Sequence, residues 1–155
     1  MSRLPVVKEP TPSLRVRSTE VAASDVLSER IQTLIRDMKE TMYHEKGVGI
    51  AAPQVGVNER VIIVELEDGP AAFINPKISS ASFANTPSEE GCLSVPGVFG
   101  FVKRSKRIHL SAISEEGTEV DMDVTGFPAI IFQHEVDHLD GTLFIDKAYE
   151  FTNEA

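Results

Sequence analysis

Leu27, Ile31, Leu34, Ile35, Met38 and Met42 recur at three- and four-residue spacing, which puts them on one face of a helix. Glu29, Arg30, Arg36 and Lys39 fall on the other face, and Ser24 or Asp25 stands where an N-cap belongs. The pattern predicts one long N-terminal amphipathic helix ending near His44–Gly47, with His44 complementing the dipole in the last turn. Residues 1–23 before it read as an irregular arm punctuated by proline. The period then shifts from helical to strand-like. Arg60–Leu66 (RVIIVEL) reads as a buried strand, Asp68–Gly69–Pro70 as a turn, and Ala71–Asn75 as a second strand stopped by Pro76. Residues 79–90, rich in Ser, Asn and Pro, read as a loop. Arg107–Ile113 and Thr118–Val124 alternate on either side of a Glu115–Gly117 turn and predict a hairpin, with Ile108, Leu110 and Ala112 inward and His109 on the wet face. A second helix is expected from Thr125, tolerating Pro128 in its first turn and stopping at Gly141.

Composition narrows the function classes. At 155 residues the chain fits one domain with one core. A net charge of −9 argues against nucleic-acid binding, which needs a basic face. The one basic cluster, Lys103–Arg107, reads as a solvated loop or strand end. No apolar run approaches the ~20 residues of a membrane span, and prolines and charges break up the start of the chain where a signal peptide needs an apolar core. A cytoplasmic protein is expected. The lone Cys92 excludes an internal disulfide framework.

The chemistry concentrates in Gln133–Gly141, QHEVDHLDG. Residues four apart on a helix lie one turn above each other. His134 and His138 can therefore aim at one metal ion, while Glu135, offset by one residue, can reach a water on it. A catalytic site of this kind needs a third protein ligand. The extended H-E-x-x-H-x-x-G-x-x-H pattern fails, because Phe144 occupies its last slot. A glutamate on a following helix has little chain left to come from, and Glu150 is a poor candidate. Cys92 in SEEGCLSVPG is bracketed by glycines and a proline, and a thiolate with two imidazoles leaves a position open for water. A second motif, GVGIAA at Gly47–Ala52, matches the dinucleotide fingerprint G-x-G-x-x-A, but a helix precedes it and Pro53 blocks the helix that should follow. Its glycines read as a close-packed turn whose backbone beside Gly49 can hold an extended peptide. Gln54, next in line, can aim its amide at a developing oxyanion.

Three motifs in order, GVGIAAPQ at Gly47–Gln54, EGCLS at Glu90–Ser94 and QHEVDHLDG at Gln133–Gly141, closely resemble the peptide deformylase family, and PTPSLR at Pro10–Arg15 is similar to the family's N-terminal arm. The resemblance covers essentially the whole chain. It implies an α+β fold of mostly antiparallel sheets packed around a central metal-binding helix, in a single catalytic domain over residues 1–155 that lacks an extended C-terminal helix. It implies hydrolysis of the formyl group from the N-terminal formyl-methionine of new polypeptides. Cys92, His134 and His138 would then hold one divalent ion, Fe²⁺ in the cell, replaceable by Zn²⁺, Ni²⁺ or Co²⁺. Glu135 would be the general base. Gln54 and the backbone N–H of Leu93 would stabilise the oxyanion, and Gly49 would pair with substrate backbone. Val48, Phe127, Ile130 and Ile131 would line the methionine pocket, with Glu90 behind the metal ligands and paired to Arg104.

The expected partners are N-formyl-methionyl peptides and nascent chains, with no nucleic acid and no membrane, and the protein is expected to be a monomer. Two departures stand out. Relatives often continue into a basic C-terminal helix, whereas this chain ends in an acidic tail that argues against stable ribosome docking. Some relatives carry an arginine where this chain has GVFGF, whose Val98, Phe99 and Phe101 are either core or an apolar rim that changes preference beyond methionine. A metallopeptidase and a non-catalytic metal-binding protein are the rival readings.

Overall fold

Val61–Leu66 is apolar at nearly every position because both faces of this strand are covered. In the computed structural model of the protein, which describes residues 2–152, Val61 and Ile63 pack with the helix Glu29–His44 (α1), and Ile62 and Val64 with the helix Gly126–Leu139 (α2). The fold is α+β, with antiparallel sheets. Gly49–Ala51 (β1), Val61–Leu66 (β2), Gly69–Ala81 (β3), Arg107–Ser114 (β6) and Glu119–Thr125 (β7) form a five-stranded sheet in the order β1-β2-β3-β6-β7. Asn85–Cys92 (β4), Val95–Ser105 (β5) and Glu150–Phe151 (β8) form a smaller sheet in the order β4-β5-β8. A one-turn helix, Phe144–Lys147 (α3), contributes Phe144 to a third apolar cluster with Val95, Val102 and Leu143.

α1 begins later than its apolar spacing suggests. Ser28, not Ser24 or Asp25, is the N-cap, its hydroxyl accepting from Ile31 N at 3.3 Å, a bond worth about 1 kcal/mol. Ala23–Asp25 forms a separate 3₁₀ turn, which leaves Leu27 outside the helix and 64% exposed. α1 ends at His44, and Ile31, Leu34, Ile35, Met38 and Met42 are buried on one face.

Pro76 does not stop its strand. β3 runs through it, because the ladder to β6 shifts register between Ile74 and Lys77, and at such a bulge the missing N–H of proline costs no pairing. Asn75 there has φ +52°, and its side-chain amide replaces ladder bonds by accepting from Val21 N at 2.8 Å and donating to Val21 O at 2.9 Å. The turn before β3 falls at Glu67–Asp68, so Gly69 and Pro70 already belong to the strand. Most of the expected loop over 79–90 is likewise strand. Its polar composition suits β4, an edge strand with one face toward solvent, and β4 and β5 join through a two-residue turn at Leu93–Ser94. The tail after His138 holds α3 and β8, more structure than its length suggested. The acidic end, 153–155, lies outside the described residues.

The N-terminal arm is bound at several points. Leu14, in a 3₁₀ turn over Pro12–Arg15, is fully buried. Val7 N donates to Gln54 O, Glu9 N to Ser94 O, and Ser18 N to Leu139 O. The last of these, with Arg60 Nη1 donating to the same carbonyl at 3.0 Å, satisfies a group that helix geometry leaves unpaired at the end of α2. Gly141 ends that helix at φ +77°, where a Cβ would stand 2.5 Å from Arg15 O. Gly141→Ala is therefore expected to cost roughly 2–4 kcal/mol, lowering Tm in thermal unfolding by about 5–15 °C; an unchanged Tm would contradict this packing.

Candidate metal centre and active site

α2 is buried on most sides, and its polar residues are the exceptions that need partners. His138 is fully buried, Glu135 is 4% exposed, and His134 is nearly covered. The thiol of Cys92, the last residue of β4, arrives beside them. Its Sγ lies 3.2 Å from His138 Nε2, and one donor atom each from Cys92, His134 and His138 all fall within 4.8 Å of one another. An ion bound at 2.0–2.3 Å in tetrahedral geometry holds its donors roughly 3.5 Å apart, so the spacing and the chemistry of this set fit a divalent metal.

Behind the thiol and imidazoles stands a chain of charged groups. His134 Nδ1 lies 2.9 Å from Glu90 Oε1, which leaves its Nε2 for the donor cluster. Glu90 receives both Nε and Nη2 of Arg104, at 2.8 and 2.7 Å, and Arg104 Nη1 donates to Asp137 at 2.7 Å. Lys147 contacts Asp137 from the rim at 3.0 Å. Burial raises the Glu90 carboxyl's pKa, but the hydrogen bonds from Arg104 and His134 outweigh it and hold the group at about 2. Burial likewise disfavours charge on His134, yet bonds to Cys92 and Glu90 bring it to about 10. The negative surrounding that holds this proton on His134 equally suits a cation in the proton's place, and a His134 that ligates an ion gives the proton up. His138 is driven well below the ordinary imidazole value, by burial first and then by His134, and so is neutral, as a metal-ligating histidine must be. Its Nδ1 is buried without a hydrogen-bond partner among the described residues.

Glu135 faces the same cleft. Burial pushes its carboxyl up to about 7, and its Oε1 is without a hydrogen-bond partner among the described residues. Gly49 explains how it fits: a Cβ there would meet Glu135 Oε2 at 2.6 Å and Ile131 Cγ2 at 2.8 Å. Gln54 is also buried. It sits in the 3₁₀ turn Ala52–Val55, where its Oε1 accepts from Ala51 N at 2.9 Å. Its Nε2 points to Ser94 Oγ at 3.2 Å and Cys92 Sγ at 3.5 Å. A cavity of about 590 Å³ opens over these groups. Val48, Gly49, Gln54, Glu90, Cys92, Leu93, Phe127, Ile130, Ile131, His134 and Glu135 all line it, whereas His138 and Arg104 lie behind its wall.

Arg104 corrects the expectation for the basic cluster. Lys103 is exposed, but Arg104 is buried at 2% because alternation along β5 turns it inward to Glu90 and Asp137. His109 is held away from the site, between Asp121 and Asp123 on β7. Two supporting residues were not singled out from sequence. Asp137 was readable in principle, since a carboxylate on a buried helix requires a cation. Gln133 gave no such signal: its side chain accepts from Ser105 N and donates to Ser105 O, both at 2.9 Å, pinning α2 to the end of β5.

A thiol and two imidazoles close enough to share one ion, beside a carboxylate raised by burial and beneath a cleft, are a combination that suits a metal-dependent hydrolase. Comparison with known proteins identifies which one. The sequence model of the polypeptide deformylase family matches residues 3–154. The peptide deformylase of Psychrobacter cryohalolentis is 43% identical over 149 residues, covering 94% of this chain and 79% of that protein. The crystal structure of the Thermotoga maritima peptide deformylase superposes with a TM-score of 0.91 at 39% identity, over 96% of this chain and 99% of that one. The class I type b peptide deformylase from Acinetobacter baumannii, solved with Met-Ala-Ser bound, gives 0.89 at 38% identity, over 95% and 99%. The chain belongs to the peptide deformylase family, hydrolases that remove the N-terminal formyl group from nascent peptides.

Two outcomes follow from the geometry. Because the pKa of Glu90 in the folded protein, about 2, lies below its ordinary 4.5, the stability it contributes is complete above about pH 4.5 and is lost as pH falls toward 2. In chelated protein, where metal release plays no part, wild type is expected to lose Tm more steeply over that window than Glu90→Gln; equal slopes would contradict the pairing. Gly49→Ala is expected to displace the Glu135 carboxylate and lower kcat roughly 100-fold while metal content, read by elemental analysis, stays at the wild-type level.

Proposed function

We propose that Cys92, His134 and His138 hold one divalent ion, making α2 the metal-binding helix at the centre of the site. The observation that carries this reading is the convergence of those three donor atoms beside Glu135. The ion expected in the cell is Fe²⁺, with Zn²⁺, Ni²⁺ or Co²⁺ able to replace it, since thiolate and imidazole accept all four. Bound there, the ion supplies Lewis acidity and lowers the pKa of water from about 16 toward about 7.

The chain's own residues do the rest. Glu135, poised near 7 by burial, takes the proton from the attacking water as a C–O bond forms at the formyl carbon, and delivers it to the leaving nitrogen as the C–N bond breaks. Formate and a free amine result. Gln54 Nε2, held by the Ala51 bond to its own carbonyl, donates to the developing oxyanion together with the N–H of Leu93 in the β4–β5 turn. β1 and β4 are each the last strand of their sheet and both line the cleft. An extended peptide can therefore pair with Gly49, while the methionine side chain enters the apolar wall of Val48, Phe127, Ile130 and Ile131. Glu90, fixed by Arg104, orients His134.

Formyl-methionine heads chains as they are made, which points to nascent polypeptides as the substrate and the cytoplasm as the place of action. No described helix is long and apolar enough to cross a membrane.

The test is formate release from formyl-Met-Ala-Ser with metal quantified in parallel. Gln54→Ala is expected to fold and lose ~100-fold or more in kcat, the usual cost of an oxyanion donor. Glu135→Ala is expected to keep its metal and lose nearly all turnover. A near-normal rate in either variant would remove that residue's role.

A further inference from the structure

Gln54 and Leu93, the two oxyanion donors proposed above, belong to different sheets. Gln54 sits in the 3₁₀ turn that follows β1 of the large sheet, and Leu93 in the two-residue turn that joins β4 to β5 of the small one. No register within either sheet can therefore fix the distance between them. The N-terminal arm spans that gap. It is held on one side by Leu4 N, which donates to Thr41 Oγ1 on α1 at 2.8 Å, and on the other by Ser13 O, which accepts from Asn58 Nδ2 at 3.0 Å. Between these anchors Val7 N donates to the carbonyl of Gln54 itself at 2.7 Å, and Glu9 N donates to the carbonyl of Ser94, the residue after Leu93, at 2.9 Å. Gln54 and Ser94 are both buried, where a carbonyl needs a donor from within the protein. On the cleft side the same two residues meet again, Gln54 Nε2 lying 3.2 Å from Ser94 Oγ. Lys8, between the two arm bonds, lines the cavity, so the arm runs along the cleft.

Donors stabilise an oxyanion only if they already point at the place where its charge develops, and a displacement of about 1 Å can cost on the order of 100-fold in rate. The bond from Ala51 N to Gln54 Oε1 sets the direction of the Gln54 amide. It lies within one turn, however, and cannot set how far that turn stands from Leu93. A strap bonded to both turns can. We propose that the N-terminal arm holds the Gln54 and Leu93 turns at their catalytic spacing, and that the backbone N–H of Val7 is a positioning group for Gln54. The inference rests on the oxyanion roles given to Gln54 and Leu93 in the proposed mechanism.

The experiment replaces Val7 by its α-hydroxy acid, which turns one amide into an ester and removes the N–H while every side chain stays. The same ester at Val6, whose N–H makes no hydrogen bond among the described residues, is the control. Formate release from formyl-Met-Ala-Ser is measured on metal-loaded proteins well below their Tm. The Val7 ester is expected to lose on the order of tenfold in kcat, with KM and metal content at the wild-type values, and the Val6 ester to match wild type. In a Gln54→Ala background the Val7 ester should cost nothing further, because the donor it positions is gone; a general loosening of the fold would recur there in full. A wild-type kcat in the Val7 ester, an equal loss in the Val6 ester, or a full further loss in the Gln54→Ala background overturns the strap and leaves the oxyanion roles standing. A near-normal kcat in Gln54→Ala alone overturns the oxyanion reading, and the strap with it.

Discussion

The guanidinium of Arg104 is the joint on which the site depends. A cation buried to this degree must have its charge and its N–H groups answered from within the protein. It is answered by Glu90 from β4 and Asp137 from α2, so one group ties the small sheet to the helix that lies across the large one. Glu90 then spends its remaining capacity on His134. The same interaction that joins the two sheets thus orients an imidazole, and the strand it anchors ends in Cys92, beside His138.

Steric constraints complete what this joint begins. Gly49 lets the edge of the large sheet come against Glu135, and Gly91 lets Phe99 of β5 lie against the edge of the small one, where the β4–β5 register shifts. Each is a place where any side chain would collide with a group that shapes the cleft. The arm, through Val7 and Glu9, is bonded to the turns bearing Gln54 and Ser94 and so links the two walls from outside. Burial is part of the chemistry as well as of stability, since it raises Glu135 toward neutrality and discharges His138.

Much of this was legible in the sequence. Helical spacing put two histidines on one face of a helix, elimination of Phe144 and Glu150 left Cys92, and alternation gave the β6–β7 hairpin. What was not legible depends on tertiary context. Pro76 reads as a stop until a register shift removes the need for its N–H. The polar stretch before Cys92 reads as loop because an edge strand needs no apolar alternation on its open side. Composition alone reads Arg104 as solvated among neighbouring cations; the family resemblance paired it with Glu90, and β5 turns it inward to make that pair.

X-ray absorption at the metal edge of protein purified without oxygen tests the central claim most directly. The account predicts one sulfur at about 2.3 Å, two imidazole nitrogens at about 2.0–2.1 Å and a light-atom ligand from solvent. A first shell without sulfur, or one closed by a fourth protein side chain, would contradict it.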